Sequence, residues 1–380
     1  MRWRVMRNLL EVILAASLAA AGMAQVQADV KVDANTPVHA INRGIYGQFL
    51  EHFQRVIEHG LWAELLQNRK FYPFDDLNHL HVALPWDGEK DAKDISYAVD
   101  ESVSIDGVSS QRLVLTGDEG VWRGIQQSGF DVLGGKEYTG HAWIKSQAAG
   151  QQVSFSLESS QGESAAESES SVEPGGWQRV NFTLTPSRDL HPAVFHIKFN
   201  HSGVLWIGAA SLMPGDNVDG IRKDVIELTK TMAPPLLRWP GGGYADAYDW
   251  RKAIGPRDRR PPQRILPYGN PLDYDSMMDP SDFGTDEFLE FCRLVGARPY
   301  ITTNFGSGDP QMAREWVEYC NGSQNTKWGA RRAANGHPQP YNVEDWAVGN
   351  EIWLPIEPGY STAAGYATYF NQFAEAMRKA

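Results

Sequence analysis

The stretch ARPYITTNFGSGDPQMAREWVEYCNG, residues 297–322, decides the fold. Its first half is an apolar run closed by glycines, the pattern of a buried strand. Its second half opens on Asp309-Pro310, a cap followed by a first-turn proline, and then places apolar residues at helical spacing. The same alternation repeats on both sides. NVDGIRKDVIELTKTM (217–232) reads as a helix with Asp219 as candidate cap, and PPLLRWPGGG (234–243) as a strand ending in a glycine turn. SDFGTDEFLEFCRLVG (281–296) is a helix, VEDWAVGNEIW (343–353) a strand and STAAGYATYFNQFAEAMRKA (361–380) a helix. Upstream, GIYGQFLEHF (44–53) reads as a strand and IEHGLWAELLQNRKFY (57–72) as a helix. Strands alternating with helices, with polar residues at strand ends, imply a parallel sheet with helices outside it. Counting from Gly44 gives four strand–helix units, half of what a closed (β/α)8 barrel needs.

Residues 75–212 follow a different rule. Short alternating runs such as QRLVLTG, QQVSFSLES, WQRVNFTLTP and GVLWIGAASL are separated by turn residues, the signature of an antiparallel sandwich. Within them ESSQGESAAESESSVEPGG (158–176) is polar and acidic and reads as a solvated loop. The expected fold is therefore α/β: a partial (β/α)8 TIM barrel of four units, with an antiparallel β-sandwich inserted. Its first unit is 38–74, the insertion 75–212, and units two to four 216–380.

A net charge of −12 argues against nucleic acid and anionic membranes as partners and fits a neutral substrate. The 13 Trp, 14 Tyr and 15 Phe supply flat apolar surface on which sugar rings stack, although core packing accounts for most of them. Cys292 and Cys320 are too few for a disulfide framework and read as small buried hydrophobes. Arg2, Arg4 and Arg7, the apolar run 9–23 and the small residues before Asp29 resemble an export signal over 1–28, despite Glu11. A secreted or periplasmic location is expected.

In a barrel, chemistry sits on the loops after the carboxyl ends of the strands. Those ends contribute Glu51 and His52, then Arg238, then Asn304, then Asn350 and Glu351. A carboxylate beside an amide suits glycoside hydrolysis: a protonated acid serves the leaving oxygen, and the amide holds a sugar hydroxyl. Partial burial beside another negative charge would raise that acid's pKa. Each signal alone has a structural reading. Glu51-His52 can be a surface pair, Arg238 a buried tie between strands, and Asn304 a brace for its own loop. Together they favour a site, with Glu51, Arg238, Asn304, Asn350, Glu351 and Trp353 as its candidate residues. The ten histidines show no metal-ligand spacing and no phosphate-binding glycine loop is present, so no metal or cofactor is expected.

The motifs GIYGQFLEH, LRWPGGGYADAYDWRKAIGPRDRRP, FGTDEFLEFCRLVGARPYI, NFGSGDPQMAREWVEYCNG and NGHPQPYNVEDWAVGNEIW resemble the α-L-arabinofuranosidases of glycoside hydrolase family 51. The resemblance covers 38–74 and 216–380. It implies a (β/α)8 barrel and a retaining double displacement that releases terminal arabinofuranose from arabinose-containing polysaccharides. It also implies Glu351 as acid/base, Asn350 as the amide that holds the 2-hydroxyl, and Glu51 as a carboxylate for substrate hydroxyls. One departure is Gly243, where the family usually has Cys, Asn or Ser. The sequence stops at Ala380 inside a helical pattern. The expectation is a fragment whose nucleophile and closing β-domain lie beyond it and which does not turn over substrate. GGKEYTGHAWIKS, GGWQRVNFTLTPS and GVLWIGAASLMP are similar, more loosely, to family 4/9-type carbohydrate-binding modules, with Trp122, Trp143, Trp177 and Trp206 as a candidate sugar platform. The rival readings are a β-xylosidase or endoglucanase of the same clan, and a non-catalytic polysaccharide-binding protein.

Overall fold

The computed structural model describes residues 30–31, 35, 39–53, 55–73, 80–265 and 277–380. The expected export signal, 1–28, lies outside them. The chain divides into two units, Met1–Ile45 and Tyr46–Ala380. In the first, Asn42 Oδ1 accepts the Gly44 backbone N–H at 2.8 Å. The second carries the architecture.

Four strands, Gln48–Glu51, Leu236–Gly241, Arg298–Thr303 and Asp345–Val348, form one parallel sheet in that order. Phe49, Arg238, Tyr300 and Asp345 stand in register across it. All four carboxyl ends therefore emerge at one edge. The helices Lys223–Met232, Thr285–Val295, Pro310–Asn321, Lys327–Ala334 and Ala363–Met377 accompany the sheet. Their starts follow the local chemistry. Asp309 accepts the Met312 N–H ahead of Pro310, and Thr362 accepts the Gly365 N–H. Trp239, Trp250, Trp316, Phe288 and Tyr319 fill the core beneath, and both cysteines are buried and free within it.

Residues 87–214 form two five-stranded antiparallel sheets. Phe155 of one sheet stacks on Phe182 of the other at 4.1 Å, and the inward residues of both share one apolar core. Among the described residues no helix is long and apolar enough to cross a membrane.

Four expectations are corrected. Residues 57–72 do not form a helix: after a single turn at Ile57–Leu61, with Glu58 and His59 outside helical geometry, the chain continues without helix and passes through a turn at 67–70. The reason is divided burial. Ile57, Leu61 and Trp62 enter the core under the parallel sheet, whereas Leu66 and Phe71 enter the antiparallel core. One helix face cannot serve both. The buried Glu64 fixes the crossing by accepting from Leu65 N, Leu66 N, Leu212 N and Ser211 Oγ. The helix that follows the first parallel strand is instead Lys223–Met232, reached only after the antiparallel sheets, so each of the four parallel strands is still followed by a helix. Secondly, the acidic segment 158–176 contains the strand Ser164–Val172. It is the edge strand of its sheet, where charged side chains facing solvent are the usual protection against unwanted pairing. Thirdly, Asp219 caps nothing; the helix begins after Arg222, and Asp219 sits at φ 53° in the preceding turn. Finally, the last helix closes at Met377.

Candidate active site

The carboxyl ends of the first, second and fourth parallel strands enclose a cleft of about 170 Å³ lined by Glu51, His52, Gly243, Tyr244, Glu351 and Glu357, among others. A larger cavity of about 610 Å³ lies between 55–67, 127–138 and 214–224. It is wider but far from the strand ends where the carboxylates converge, so chemistry rather than size selects the smaller one.

Glu51 closes the first strand and is half-buried. Burial lifts its carboxyl above the ordinary range; Arg238 opposes the rise, while Glu351 and Glu357 add to it. Arg238 donates through Nη2 to Asn350 Oδ1 at 2.9 Å, which orients the amide. Asn350 N donates to Asp246 Oδ2 at 3.0 Å. The Asn350 Nδ2 is buried and has no hydrogen-bond partner among the described residues, so this donor is unspent. Glu351 follows at φ 43°, an uncommon conformation for a non-glycine residue and one that clusters at functional sites.

Asp246 is the residue that sequence reasoning missed. It is 0% exposed and receives N–H groups from two other strand ends, Phe305 N at Oδ1 and Asn350 N at Oδ2, both at 3.0 Å. Burial pushes its carboxyl up to about 6 against those two bonds; Glu357 adds to the rise and Arg238 opposes it. An Asp between the apolar residues of YADAY (244–248) was the available signal. Glu357 was missed too, because nothing in its loop marks a strand end.

His52 is buried and braces the site rather than facing ligand. Trp239 Nε1–H can only donate, so His52 Nε2, at 3.1 Å, accepts, and the neutral ring keeps its proton on Nδ1. Burial lowers its pKa, with Asp279 opposing. Nδ1 stands 3.7 Å from Asp279 Oδ2, which also accepts from Tyr244 Oη at 2.9 Å. His52, Glu58 and Asp279 lie close enough together to hold a metal ion. However, a protonated Nδ1 has no lone pair for a metal, so the geometry does not fit a ligand set.

The predicted site residues separate into two groups. Glu51 and Glu351 share the cleft, and Arg238 and Asn350 join behind it. Asn304 does not join. Its oxygen accepts from Ser307 N and Gly308 N, and its nitrogen donates to Tyr248 O and Ser307 Oγ, so the amide is spent on its own loop and on the segment after the second strand. Trp353 is 66% exposed and lies outside the cleft lining. The burial expected around Glu351 falls instead on Asp246 and Glu357, since Glu351 itself is exposed. The four platform tryptophans make no ring contact with one another among the described residues. The indole N–H groups of Trp143 and Trp206 are engaged by Asp258 and Asp100, each at 2.8 Å.

Residues 228–380 match the profile of the α-L-arabinofuranosidase 1 domain. The chain is 39% identical over 165 residues to α-L-arabinofuranosidase C of Emericella nidulans, covering 43% of this chain and 31% of that protein. It is 37% identical over 151 residues to an intracellular exo-α-L-arabinofuranosidase of Bacteroides ovatus, covering 40% and 28%. The chain thus spans about a third of the length of the curated relatives it matches. Among solved structures it is similar to the arabinose-bound α-L-arabinofuranosidase MgGH51, with a TM-score of 0.77 and 21% identity over 91% of this chain and 58% of that one. At that identity the likeness concerns the mixed α/β fold.

Proposed function

We propose that this chain, whose residues 228–380 match the α-L-arabinofuranosidase 1 domain, belongs to glycoside hydrolase family 51 and forms the proton-donating and sugar-holding half of a retaining arabinofuranosidase site. The observation that carries the reading is the meeting of Glu51 and Glu351 in one cleft at the carboxyl edge of a parallel sheet. The four parallel strands are then the first part of a (β/α)8 barrel over 38–74 and 216–380, and the paired antiparallel sheets an insertion over 75–212. With an export signal over 1–28, the protein works outside the cytoplasm on arabinose-containing polysaccharides or oligosaccharides.

The residues divide the work. Glu351 faces solvent, where it can deliver a proton to the leaving oxygen of a terminal arabinofuranoside and take it back from water in the second step. Asn350, turned by Arg238, offers its unspent Nδ2 donor to a ring hydroxyl. Glu51 accepts from other hydroxyls. A retaining reaction needs a second carboxylate about 5–5.5 Å from the first, acting as nucleophile. Glu51 is kept for binding here, so the 380-residue polypeptide by itself binds the sugar without turning it over.

Calorimetric titration with L-arabinose, together with an aryl α-L-arabinofuranoside hydrolysis assay, tests both halves. The chain is expected to bind, Asn350→Ala to bind about tenfold more weakly, consistent with loss of one buried hydrogen bond, and no aglycone to be released. Absence of binding overturns the site. Release of aglycone that disappears in Glu351→Gln overturns the claim that this polypeptide is inactive.

A further inference from the structure

Glu357 is the cleft carboxylate that this reading leaves without a task. It is only 6% exposed yet lines the cleft with Glu51 and Glu351. Its backbone is held by successive turns: Glu357 N donates to Leu354 O at 3.0 Å and Tyr360 N to Glu357 O at 3.1 Å. Across the neck of the loop, Ser361 N donates to Ile352 O at 2.7 Å. The side chain is thus delivered from a fixed loop.

The carboxylate lies over Gly243. A Cβ placed on Gly243 would stand 2.1 Å from Glu357 Oε2 and 3.0 Å from its Cδ. Gly243 does not occupy the positive-φ region, unlike its neighbour Gly242 at φ 63°. Its backbone therefore does not require glycine, and the space a side chain would fill is taken by the Glu357 carboxylate, which would have to move to admit one. A side chain at 243 and the carboxylate at 357 compete for one volume.

Carboxyl groups accept hydrogen bonds from hydroxyl donors through their oxygens. Three of them, Glu51, Glu351 and Glu357, line the cleft, with the guanidinium of Arg238 behind it on Asn350. The matching ligand face is a set of hydroxyl donors without negative charge. Resting on the proposed function above, we infer that Glu357 is a hydroxyl-binding residue of the sugar site, standing where a side chain at position 243 would otherwise reach the ligand. Positions 243 and 357 form a coupled pair that favours an unsubstituted neutral sugar over a uronate.

Two measurements on the 380-residue chain test this. In L-arabinose titrations, Glu357→Gln is expected to weaken binding about tenfold or more, and D-galacturonate is expected not to bind. Glu51→Gln serves as the control for the site itself. Binding unchanged in Glu357→Gln but lost in Glu51→Gln overturns the inference and leaves the proposed function standing. Binding lost in neither variant, or absent from the unaltered chain, overturns both. The second measurement needs no sugar. Gly243→Ala is expected to lower Tm by several degrees, and Gly243→Ala/Glu357→Ala to recover most of that loss. Additive effects in this cycle mean that the two positions do not share space, and overturn the inference on their own.

Discussion

Replacing Asp246 by asparagine isolates the group that joins three strand ends. In the native protein burial lifts this carboxyl from its ordinary 3.8 to about 6. A carboxyl whose folded pKa lies above its unfolded value binds its proton more tightly when folded. Its contribution to stability is therefore complete below 3.8 and is lost as pH rises through about 6. The gap corresponds to about 3 kcal/mol, of which roughly 2–3 kcal/mol falls between pH 4 and pH 8. Asparagine cannot ionise. It keeps one of the two bonds from Asn350 N and Phe305 N and turns an NH2 group towards the other donor, costing about 1–2 kcal/mol at every pH. Asp246→Asn should thus be less stable than native at pH 4, and should match or exceed it by pH 8. Urea unfolding read by tryptophan fluorescence suits the measurement, because Trp239, Trp250 and Trp316 are buried in the adjoining core. Other titrating groups are common to both proteins and cancel in the difference. A native-minus-variant difference that stays flat within about 1 kcal/mol from pH 4 to pH 8 refutes the argument. A difference that grows with pH refutes it more strongly, since the anion would then be the stabilised form.

Arg69 is buried and forks to both oxygens of Asp282 and to Asp258 Oδ1 at 2.8 Å, joining the antiparallel sheets to the parallel layer. Arg69→Met should lower stability by about 3–5 kcal/mol in urea unfolding, because two carboxylates lose a buried partner. Although burial pushes it up, Asp282 is held far below its ordinary range, with Arg69 the largest opposing influence and Lys70 next. Part of the native protein's stability is therefore lost as pH falls, and that acid-side slope should be shallower in the variant. Arg238→Lys should weaken L-arabinose binding in calorimetry about tenfold while changing stability by less than about 1 kcal/mol, since lysine keeps the charge but not the planar grip on Asn350 Oδ1. Equal binding by this variant would remove Arg238 from the site.

Legibility followed the range of the forces involved. The helix at Pro310–Asn321 and its cap on Asp309 are local, and so are the strands whose apolar runs end in glycine; these were readable. Residues 57–72 were not, because their fold is set by two cores distant in sequence and by Glu64 reaching Ser211 and Leu212. The strand Ser164–Val172 was hidden by its composition: an edge strand buries one face at most, so alternating Ser and Glu resembles a loop. At the site, strand-end position identified Glu51, Arg238, Asn350 and Glu351, since a parallel sheet gathers such residues at one edge. It failed for Asn304, whose strand end is equally well placed but whose amide serves its own loop. It failed for Asp246 and Glu357 because both act from loops, and only the packed structure shows what they touch.

These bonds also explain why an amide and a carboxylate stand side by side where the fourth strand leaves the core. The turn is strained: Gly349 sits at φ 78°, and Glu351 at φ 43°, where a side chain costs on the order of 1 kcal/mol. A Cβ on Gly349 would lie 2.8 Å from Ile352 Cγ2 and 2.9 Å from Phe305 Cβ, so glycine is needed there for space as well as for φ. Between the two strained residues, Asn350 is clamped at both ends, its oxygen by Arg238 and its N–H by Asp246. Leu354 N closes the turn on Glu351 O at 2.8 Å. The buried anchors therefore offset the local strain of a turn whose exposed Glu351 lines the same cleft as Glu51. The proposed proton donor is thereby held in place before substrate arrives, as preorganised catalysis requires.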